Sequence, residues 1–422
     1  MVLLLDTISL LYGSFFVIRS LKGMIKGSYN FYTILVFLFY FFQFVPLIFD
    51  HLYSEQIISL RSNFSVLYKA LIDPIVAIIY DCTICFVITV LYYLSTKKKF
   101  RFKYNVEKSR RAKYSRFINI ILIVIIFFPI VLIFYAPDPY IYLQWAYQYT
   151  VGLDLYEEIY HNEVLMSIHR FSTFALIIYY AQNKKMNLIF CIGLFFLTWI
   201  SFKRTILVFV SIFVVVFDFF SNKYAGKAKK FFLKAIVLFF ICGFYFVAYS
   251  EYTGKGSEDD YYTSYTLYYS RHYCVKTAIY DQLYTNKMLE YRGQTLLFDV
   301  FFWAPRFLWE NKPAMYSKYF TAYSQGNHYV IGEYVTNIYV NIWAEFISNL
   351  HLLGVVFALL FIYFSIKYLS KLNSYILYYL GLSFILFYFF WGVQPFTMII
   401  ISAWLICFVG YKVKRFFKFS RA

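Results

Sequence analysis

Residues 196–213 read FLTWISFKRTILVFVSIF, and this stretch decides the fold class. Two apolar runs flank a very short turn that carries Lys203 and Arg204. Apolar blocks of about 17–22 residues recur along the rest of the chain, and a helix of that length crosses the hydrocarbon core of a bilayer. The sequence therefore predicts an all-α polytopic membrane protein.

The composition supports this fold class, because 61% of the 422 residues are hydrophobic and only 15% are charged. The first apolar block has no basic residues ahead of it, which favours a retained span over a cleaved signal peptide. We predict a single transmembrane domain over residues 1–422. Its eleven spans are expected at 2–18, 30–49, 74–95, 117–136, 164–182, 188–201, 205–221, 232–250, 351–366, 374–391 and 396–411.

The segments between these spans alternate in charge. One set, which includes 96–116 and the C-terminal residues, holds most of the Lys and Arg, and the opposite set holds most of the acids. The positive-inside rule places the basic set in the cytoplasm. The net charge of +18 is then an orientation signal and a contact with the lipid bilayer, so no nucleic-acid partner is predicted. Residues 251–350 form one large external interval.

Neither a metal nor a cofactor is predicted. Cys82 and Cys85 form a CxxC inside a predicted span, without a second pair or histidines beside it, which favours two structural thiols. The chain contains no P-loop and no GxGxxG fingerprint, and their absence excludes the usual soluble nucleotide chemistry.

The external interval contains a stiff cationic segment, FWAPRFLWENKP, at residues 302–313. Its two prolines fix φ and restrict the residues before them, so its two cations are expected to be held in place. Its two tryptophans suit the membrane interface, where an apolar ring and one N–H are both satisfied. The residues concerned are Trp303, Pro305, Arg306, Trp309, Lys312 and Pro313.

Further cations fall on the predicted external side or in the outer half of a span. They are Arg170, Lys203, Arg204, Arg271 and Arg292, the last beside Gly293. Guanidinium groups bind phosphate oxygens bidentately and stay charged, so several of them at one interface suit a pyrophosphate without a metal. A sugar hydroxyl acting as nucleophile would need a base, for which the candidates are His272, His328, Glu333 and Glu345, with Glu345 favoured among the acids.

Together these features resemble the Wzy-type oligosaccharide repeat-unit polymerases of bacterial O-antigen and capsule clusters. The resemblance lies in four features. They are the turn SFKRT at 201–205, the pair YRGQTLL at 291–297 and PRFLWENKP at 305–313, the stretch AEFISNLHLLG at 344–354, and the layout of many spans with one large external loop and a basic tail.

The resemblance implies a GT-C-like glycosyltransferase that joins undecaprenyl-pyrophosphate-linked oligosaccharides on the outer face of the bacterial inner (cytoplasmic) membrane, with residues 251–350 as the catalytic loop. It implies catalytic roles for Arg204, Arg271, Arg292 and Arg306, to which we add His272 and Glu345. Substrate contacts are expected from Arg170, Lys203, Trp303, Trp309, Lys312 and His328. A separate chain-length co-polymerase is an expected partner.

Three other functions remain open. An O-antigen ligase would use the same donor with a lipid A core acceptor, and the Pro-Arg…Lys-Pro element favours the polymerase over it. A flippase or transporter of lipid-linked oligosaccharide would need charged residues deep in several spans and an internal repeat. The few charged residues in the predicted spans include Asp6, Asp81, Arg170 and Asp218, and no repeat is visible. A membrane scaffold or receptor would need no cationic pocket.

Overall fold

The computed structural model is built from helices, and no strand occurs among the residues it describes. It describes residues 2–26, 29–53, 55–97, 115–135, 163–183, 185–201, 204–220, 228–252, 262, 265–331, 338–372, 375–394, 397–398, 400–405 and 407–409. The α-helices are α1 Val2–Ile25, α2 Phe31–Phe39, α3 Val45–Leu52, α4 Leu60–Asn63, α5 Ser65–Ile72, α6 Pro74–Ser95, α7 Ser115–Phe127, α8 Pro129–Tyr135, α9 Glu163–Asn183, α10 Leu188–Ser201, α11 Arg204–Phe220, α12 Ala228–Tyr252, α13 His272–Tyr280, α14 Gln294–Val300, α15 Tyr316–Ser324, α16 Ile342–Leu350, α17 Gly354–Leu369 and α18 Tyr375–Trp391.

Four helical stretches among the described residues are long and apolar enough to cross a membrane. They are Val2–Ile25, Phe31–Leu52, Pro74–Ser95 and Ile342–Leu369. Further apolar helices, such as Phe117–Val131, Leu188–Ile200 and Leu377–Trp391, are shorter. These helices are compatible with an all-α, multi-pass membrane protein, whereas the number of eleven spans stays a prediction.

The chain divides into two compact units, Met1–Phe102 with Tyr262–Ala422, and Lys103–Tyr261. In the second unit, α9 packs against α7, and the Ser172 hydroxyl donates to the Ile125 carbonyl at 2.8 Å. Farther along, Lys234 on α12 donates to Asp218 on α11 and to Tyr180 on α9, both at 2.5 Å. This buried charge pair holds three helices of the second unit together.

The first unit begins with three antiparallel helical stretches. At one end, His51 in the last turn of the long Phe31–Leu52 stretch bonds Asp6 on α1, with Nε2 2.6 Å from Oδ2. At the opposite end, the Asn30 amide donates to the carbonyls of Leu94 and Ser95 at 3.2 and 2.9 Å. Asn30 also caps α2, because its side chain accepts from the Thr33 N–H. These bonds fix which helix ends lie together.

The large polar interval is folded onto these helices. The helix α13 packs against α5, α6 and α16, and every residue from His272 to Ile279 is buried. The helix α16 packs against α13, α14, α17 and α18, and its residues Ile342–Asn349 are all buried. The first unit therefore has a polar interior made from segments that are far apart in sequence.

Candidate functional site

The site begins at an irregular turn in the middle of the Phe31–Leu52 stretch. Residues Tyr40–Phe44 form a π-helix, and Pro46 follows two residues after its end. In a regular helix the Phe42 carbonyl would accept from the N–H of residue 46, which proline lacks. The Arg271 N–H donates to this carbonyl instead, at 3.2 Å. A proline in one span thus creates the acceptor that docks a distant segment.

Arg271 is held deep in the first unit, with 1% of its surface exposed. Its Nε donates to the Phe390 carbonyl at 2.9 Å, and its Nη1 donates to the Ser270 carbonyl. Its own carbonyl accepts from the Asn341 amide at 3.1 Å. Main-chain oxygens therefore fix this guanidinium, which places a positive charge inside the protein.

His272, the next residue, is completely buried and bonded at both ring nitrogens. Its Nε2 lies 2.8 Å from Asp50 Oδ2, and its Nδ1 lies 3.1 Å from Ser270 Oγ. The Ser270 hydroxyl donates its only proton to the Thr266 carbonyl, at 3.0 Å. Both ring nitrogens of His272 are therefore engaged with side chains of the protein.

Asp50 collects further partners around the same carboxylate. Lys276 Nζ lies 3.6 Å from Asp50 Oδ2, and the Tyr262 hydroxyl donates to Oδ1 at 3.1 Å. The Lys276 ammonium also lies 5.3 Å from the centre of the Tyr80 ring. We call Asp50, Ser270, Arg271, His272 and Lys276 the buried centre. The Arg271 guanidinium and the Lys276 ammonium outnumber its one carboxylate, so it is electropositive.

Glu345, the favoured acid, lies on the first turn of α16, which begins at the Asn341 cap. Glu345 is completely buried. Among the described residues, Thr295, Tyr388 and Asp299 lie around its carboxyl group, and none of them reaches either oxygen with full hydrogen-bond geometry. Its nearest acidic neighbour is Asp299, whose Oδ2 accepts from the Tyr388 hydroxyl at 2.8 Å. Burial and the charge of Glu345 raise the pKa of Asp299 well above its usual range. We call Asp299 and Glu345 the acidic pair.

The stretches 291–297 and 344–354 meet in the structure. The Asn349 amide donates to Thr295 Oγ1 at 2.8 Å and to the Glu345 carbonyl at 2.7 Å. A Cβ added at Gly354 would lie 2.0 Å from the Phe346 carbonyl oxygen, so only glycine lets α17 start this close to α16. The asparagine and the glycine of this stretch thus have identifiable packing roles.

The cationic segment forms a braced loop, which we call the exposed loop, Phe301–Pro313. The Lys312 ammonium donates to the carbonyls of Phe302 and Ala304 at 2.6 and 2.7 Å. Arg306 Nη1 donates to the Lys312 carbonyl at 2.9 Å. Lys312 is 6% exposed, and burial together with the charge of Arg306 lowers its pKa. Lys312 therefore closes the loop, whereas Arg306 lies at its surface.

Apolar side chains surround Arg306 on the surface of this loop. Trp303 is 65%, Phe307 81% and Leu308 72% exposed. Trp309 is half-buried, and its ring lies 6.3 Å from that of Phe301. Large exposed apolar patches of this kind mark contacts with lipid or with a partner. The loop thus presents a guanidinium framed by rings and aliphatic chains.

The other predicted residues occupy several different environments. Arg292 and His328 are exposed in the first unit. Arg170 is half-buried on α9 of the second unit, and Arg204 begins α11. Lys203, Glu333 and the side chain of Arg204 lie outside the described residues. The structure therefore joins Arg271 with His272, and Arg306 with Lys312, in two separate settings.

Sequence reasoning did not assign roles to Asp50, Asp299 or Tyr388. Asp50 lies one residue beyond a predicted span, and the only signal for it is an acid at the end of an apolar block. Asp299 lies among apolar residues of α14, where an isolated acid has no local partner. Within the described ranges, no three His, Cys, Asp or Glu side chains are grouped to hold a metal ion.

Comparison of the chain with protein-family models, with curated proteins and with solved structures finds no match in any of the three.

Proposed function

We propose that the chain is a glycosyltransferase that polymerises undecaprenyl-pyrophosphate-linked oligosaccharide repeat units into O-antigen or capsular polysaccharide on the external face of the membrane. The observation that carries this proposal is the exposed loop, which frames the Arg306 guanidinium with Trp303 and Phe307. A prenyl pyrophosphate joins an anionic head to an apolar tail. A guanidinium among apolar side chains complements both parts.

In the proposed reaction, an acceptor hydroxyl attacks the anomeric carbon of the donor. The bond from that carbon to the pyrophosphate oxygen breaks, a glycosidic bond forms, and the hydroxyl proton leaves to a base. Negative charge grows on the departing pyrophosphate, and cations placed for it supply several kcal/mol of transition-state stabilisation, with ~3 kcal/mol typical of one donor. Arg306 and Arg292 are exposed and can take this role.

The assignment of the base follows from the hydrogen bonds of the two buried candidates. Both ring nitrogens of His272 are already hydrogen-bonded within the buried centre, so the ring is not free to contact an acceptor hydroxyl. Among the residues that the structure describes, no side chain holds either carboxyl oxygen of Glu345 in a hydrogen bond of full geometry. We therefore propose Glu345 as the base, and assign His272 to the electropositive buried centre.

The test uses the full chain in proteoliposomes with lipid-linked repeat units isolated from the source cells. Wild type is expected to produce a ladder of polymer, which Arg306→Ala abolishes and Arg306→Lys restores only in part, since an ammonium cannot bind bidentately. The matched control is Arg61→Ala, which removes another exposed cation of the first unit. A ladder of normal length from both Arg306→Ala and Arg292→Ala would refute the proposal.

One observation favours the transporter reading as a second candidate. Asp6, Asp50 and Asp81 are buried in helices long enough to span a membrane, and such residues often mark transport pathways. The same proteoliposomes separate the two functions. Movement of lipid-linked units between leaflets without a ladder would support transport, and a ladder supports polymerisation. Transfer to added lipid A core, in place of a ladder, would identify a ligase.

A further inference from the structure

A second group of acids lies apart from the proposed site, between α1 and α6. Asp6 and Ser9 are one helical turn apart on α1, and each is 2% exposed. Asp81 lies on the second turn of α6 and is 1% exposed. Cys85 Sγ lies 3.7 Å from Ser9 Oγ, and the Tyr12 and Thr89 hydroxyls lie 2.8 Å apart, which gives α1 and α6 a parallel register that places Asp6 beside Asp81. Two carboxyl groups thus face one another within membrane-spanning helices.

The donors available to these acids do not suffice. Asp6 Oδ2 is paired with His51 Nε2 at 2.6 Å. In the part of the chain that the structure describes, no N–H or O–H group reaches Asp6 Oδ1 or either oxygen of Asp81 with full hydrogen-bond geometry, although the Ser9 hydroxyl lies close to Asp81. A buried acceptor without a donor is costly, and a buried charge without a partner is more costly. The carboxyl oxygens of Asp6 and Asp81 that face one another therefore need a proton donor.

The surrounding charged and titratable groups cannot fill this gap. From α3 and the residues beside it come Asp50 and His51, from α6 Tyr80 and Cys85, and from α13 His272 and Lys276. Lys276 is the one permanent cation among them, and its ammonium is engaged 3.6 Å from Asp50. His272 is also hydrogen-bonded to Asp50. Asp6 and Asp81 therefore cannot both be ionised without a large cost in free energy.

We propose that Asp6 and Asp81 form a proton-binding site inside the membrane, which holds one proton between their facing oxygens and exchanges it with solution through His51. The proton turns two opposed acceptors into an O–H···O bond and removes one buried charge. His51 suits the exchange, because its side chain is 33% exposed and its ring already contacts Asp6. This site does not depend on the proposed glycosyltransferase activity.

The first experiment is infrared spectroscopy of the purified full chain in nanodiscs, followed over pH. Wild type is expected to show a protonated carboxylic-acid C=O band that is lost in both Asp6→Asn and Asp81→Asn. The matched control, Asp73→Asn, changes the cap of the same helix α6 and should leave the band unchanged. Asp299→Asn identifies any band from the acidic pair. Spectra of Asp81→Asn that equal wild type would overturn the proposal.

The second experiment tests the route and the occupant. His51→Gln is expected to slow the response of this band to a pH jump, on the order of a hundredfold, as expected when a positioned proton-transfer group is removed. Asn at position 81 mimics the protonated acid, so the melting temperature should be retained. Replacing NaCl by choline chloride should not shift that temperature. A Na⁺-dependent rise that Asp81→Asn abolishes would show a sodium site and refute the proton site.

Discussion

The buried centre and the exposed loop lie in the same unit, yet they use their cations in opposite ways. In the buried centre, Arg271 and His272 are hydrogen-bonded to protein oxygens and are almost completely buried. In the exposed loop, Lys312 takes the bracing role and leaves Arg306 at the surface. The number of cations in a segment therefore says little about whether that segment binds a ligand. What matters is which cation remains exposed after the fold has used the others.

The largest effect is expected from Asp50→Ala, which leaves His272 and Lys276 buried without their carboxylate. Breaking a buried ion pair costs about 3–5 kcal/mol. We expect the free energy of unfolding to fall by this amount and the yield of folded protein to drop. The measurement is thermal unfolding in detergent. The control is Glu55→Ala, an exposed acid at the same helix end, and equal stability of the two variants would contradict the structural role of the buried centre.

The next largest effect is expected at the close contact between α17 and α16, the helix that carries Glu345. Gly354→Ala puts a methyl group 2.0 Å from the Phe346 carbonyl oxygen and forces α16 and α17 apart. Overpacking of this kind costs about 1–3 kcal/mol. Gly243→Ala is the matched control, because a Cβ there meets nothing within 4 Å. Equal melting temperatures for the two variants would show that the close approach is not needed.

A smaller effect on stability, with a larger one on activity, is expected in the exposed loop. Lys312→Met removes two hydrogen bonds, but it also removes a charge that burial and Arg306 disfavour, as the lowered pKa of Lys312 indicates. We expect a loss of at most about 1 kcal/mol in stability and a marked shortening of the polymer ladder. Lys287→Met, at an exposed position, should leave both unchanged. A normal ladder from Lys312→Met would show that the hydrogen bonds of Lys312 are not needed for polymerisation.

The smallest effect is a dependence of stability on pH. Burial and Glu345 raise the pKa of Asp299, so the folded state holds this proton more tightly than the unfolded chain does. The stability contributed by Asp299 is fully present below about pH 4 and is lost as pH rises through the raised pKa. Asp299→Asn should flatten this part of the melting-temperature profile. The exposed Glu310→Gln should retain it, and identical profiles for wild type and Asp299→Asn would contradict the assignment.

The sequence suffices to predict the helical fold class and several spans. The predicted spans 2–18, 30–49 and 74–95 correspond to Val2–Ile25, Phe31–Leu52 and Pro74–Ser95. They are predictable because a long apolar block is a local property, set by the thickness of the bilayer. The break at Tyr40–Phe44 is not visible in the same way, since apolar residues continue through it.

The site is less predictable, because its contacts join distant residues. The sequence singles out Arg271, His272 and Glu345 as polar residues near apolar segments. It gives no sign that the Asp50 carboxylate contacts the His272 ring, which lies 222 positions away in the chain. It also predicts that both Arg306, as a catalytic residue, and Lys312, as a contact, meet the substrate. Their separation into an exposed group and a buried brace depends on how the loop closes on the carbonyls of Phe302 and Ala304.

The proline-interrupted span has a consequence for biogenesis. The Phe42 carbonyl enters the bilayer early in synthesis, while its donor, the Arg271 N–H, belongs to a segment translated much later. Until then the nascent chain carries, in a stretch long enough to span the bilayer, a carbonyl whose regular helical donor is replaced by Pro46, and lipid offers no donor in its place. Release from the insertion machinery is therefore safest after residue 271 has docked. A chain truncated before that point would present this defect to membrane quality-control proteases.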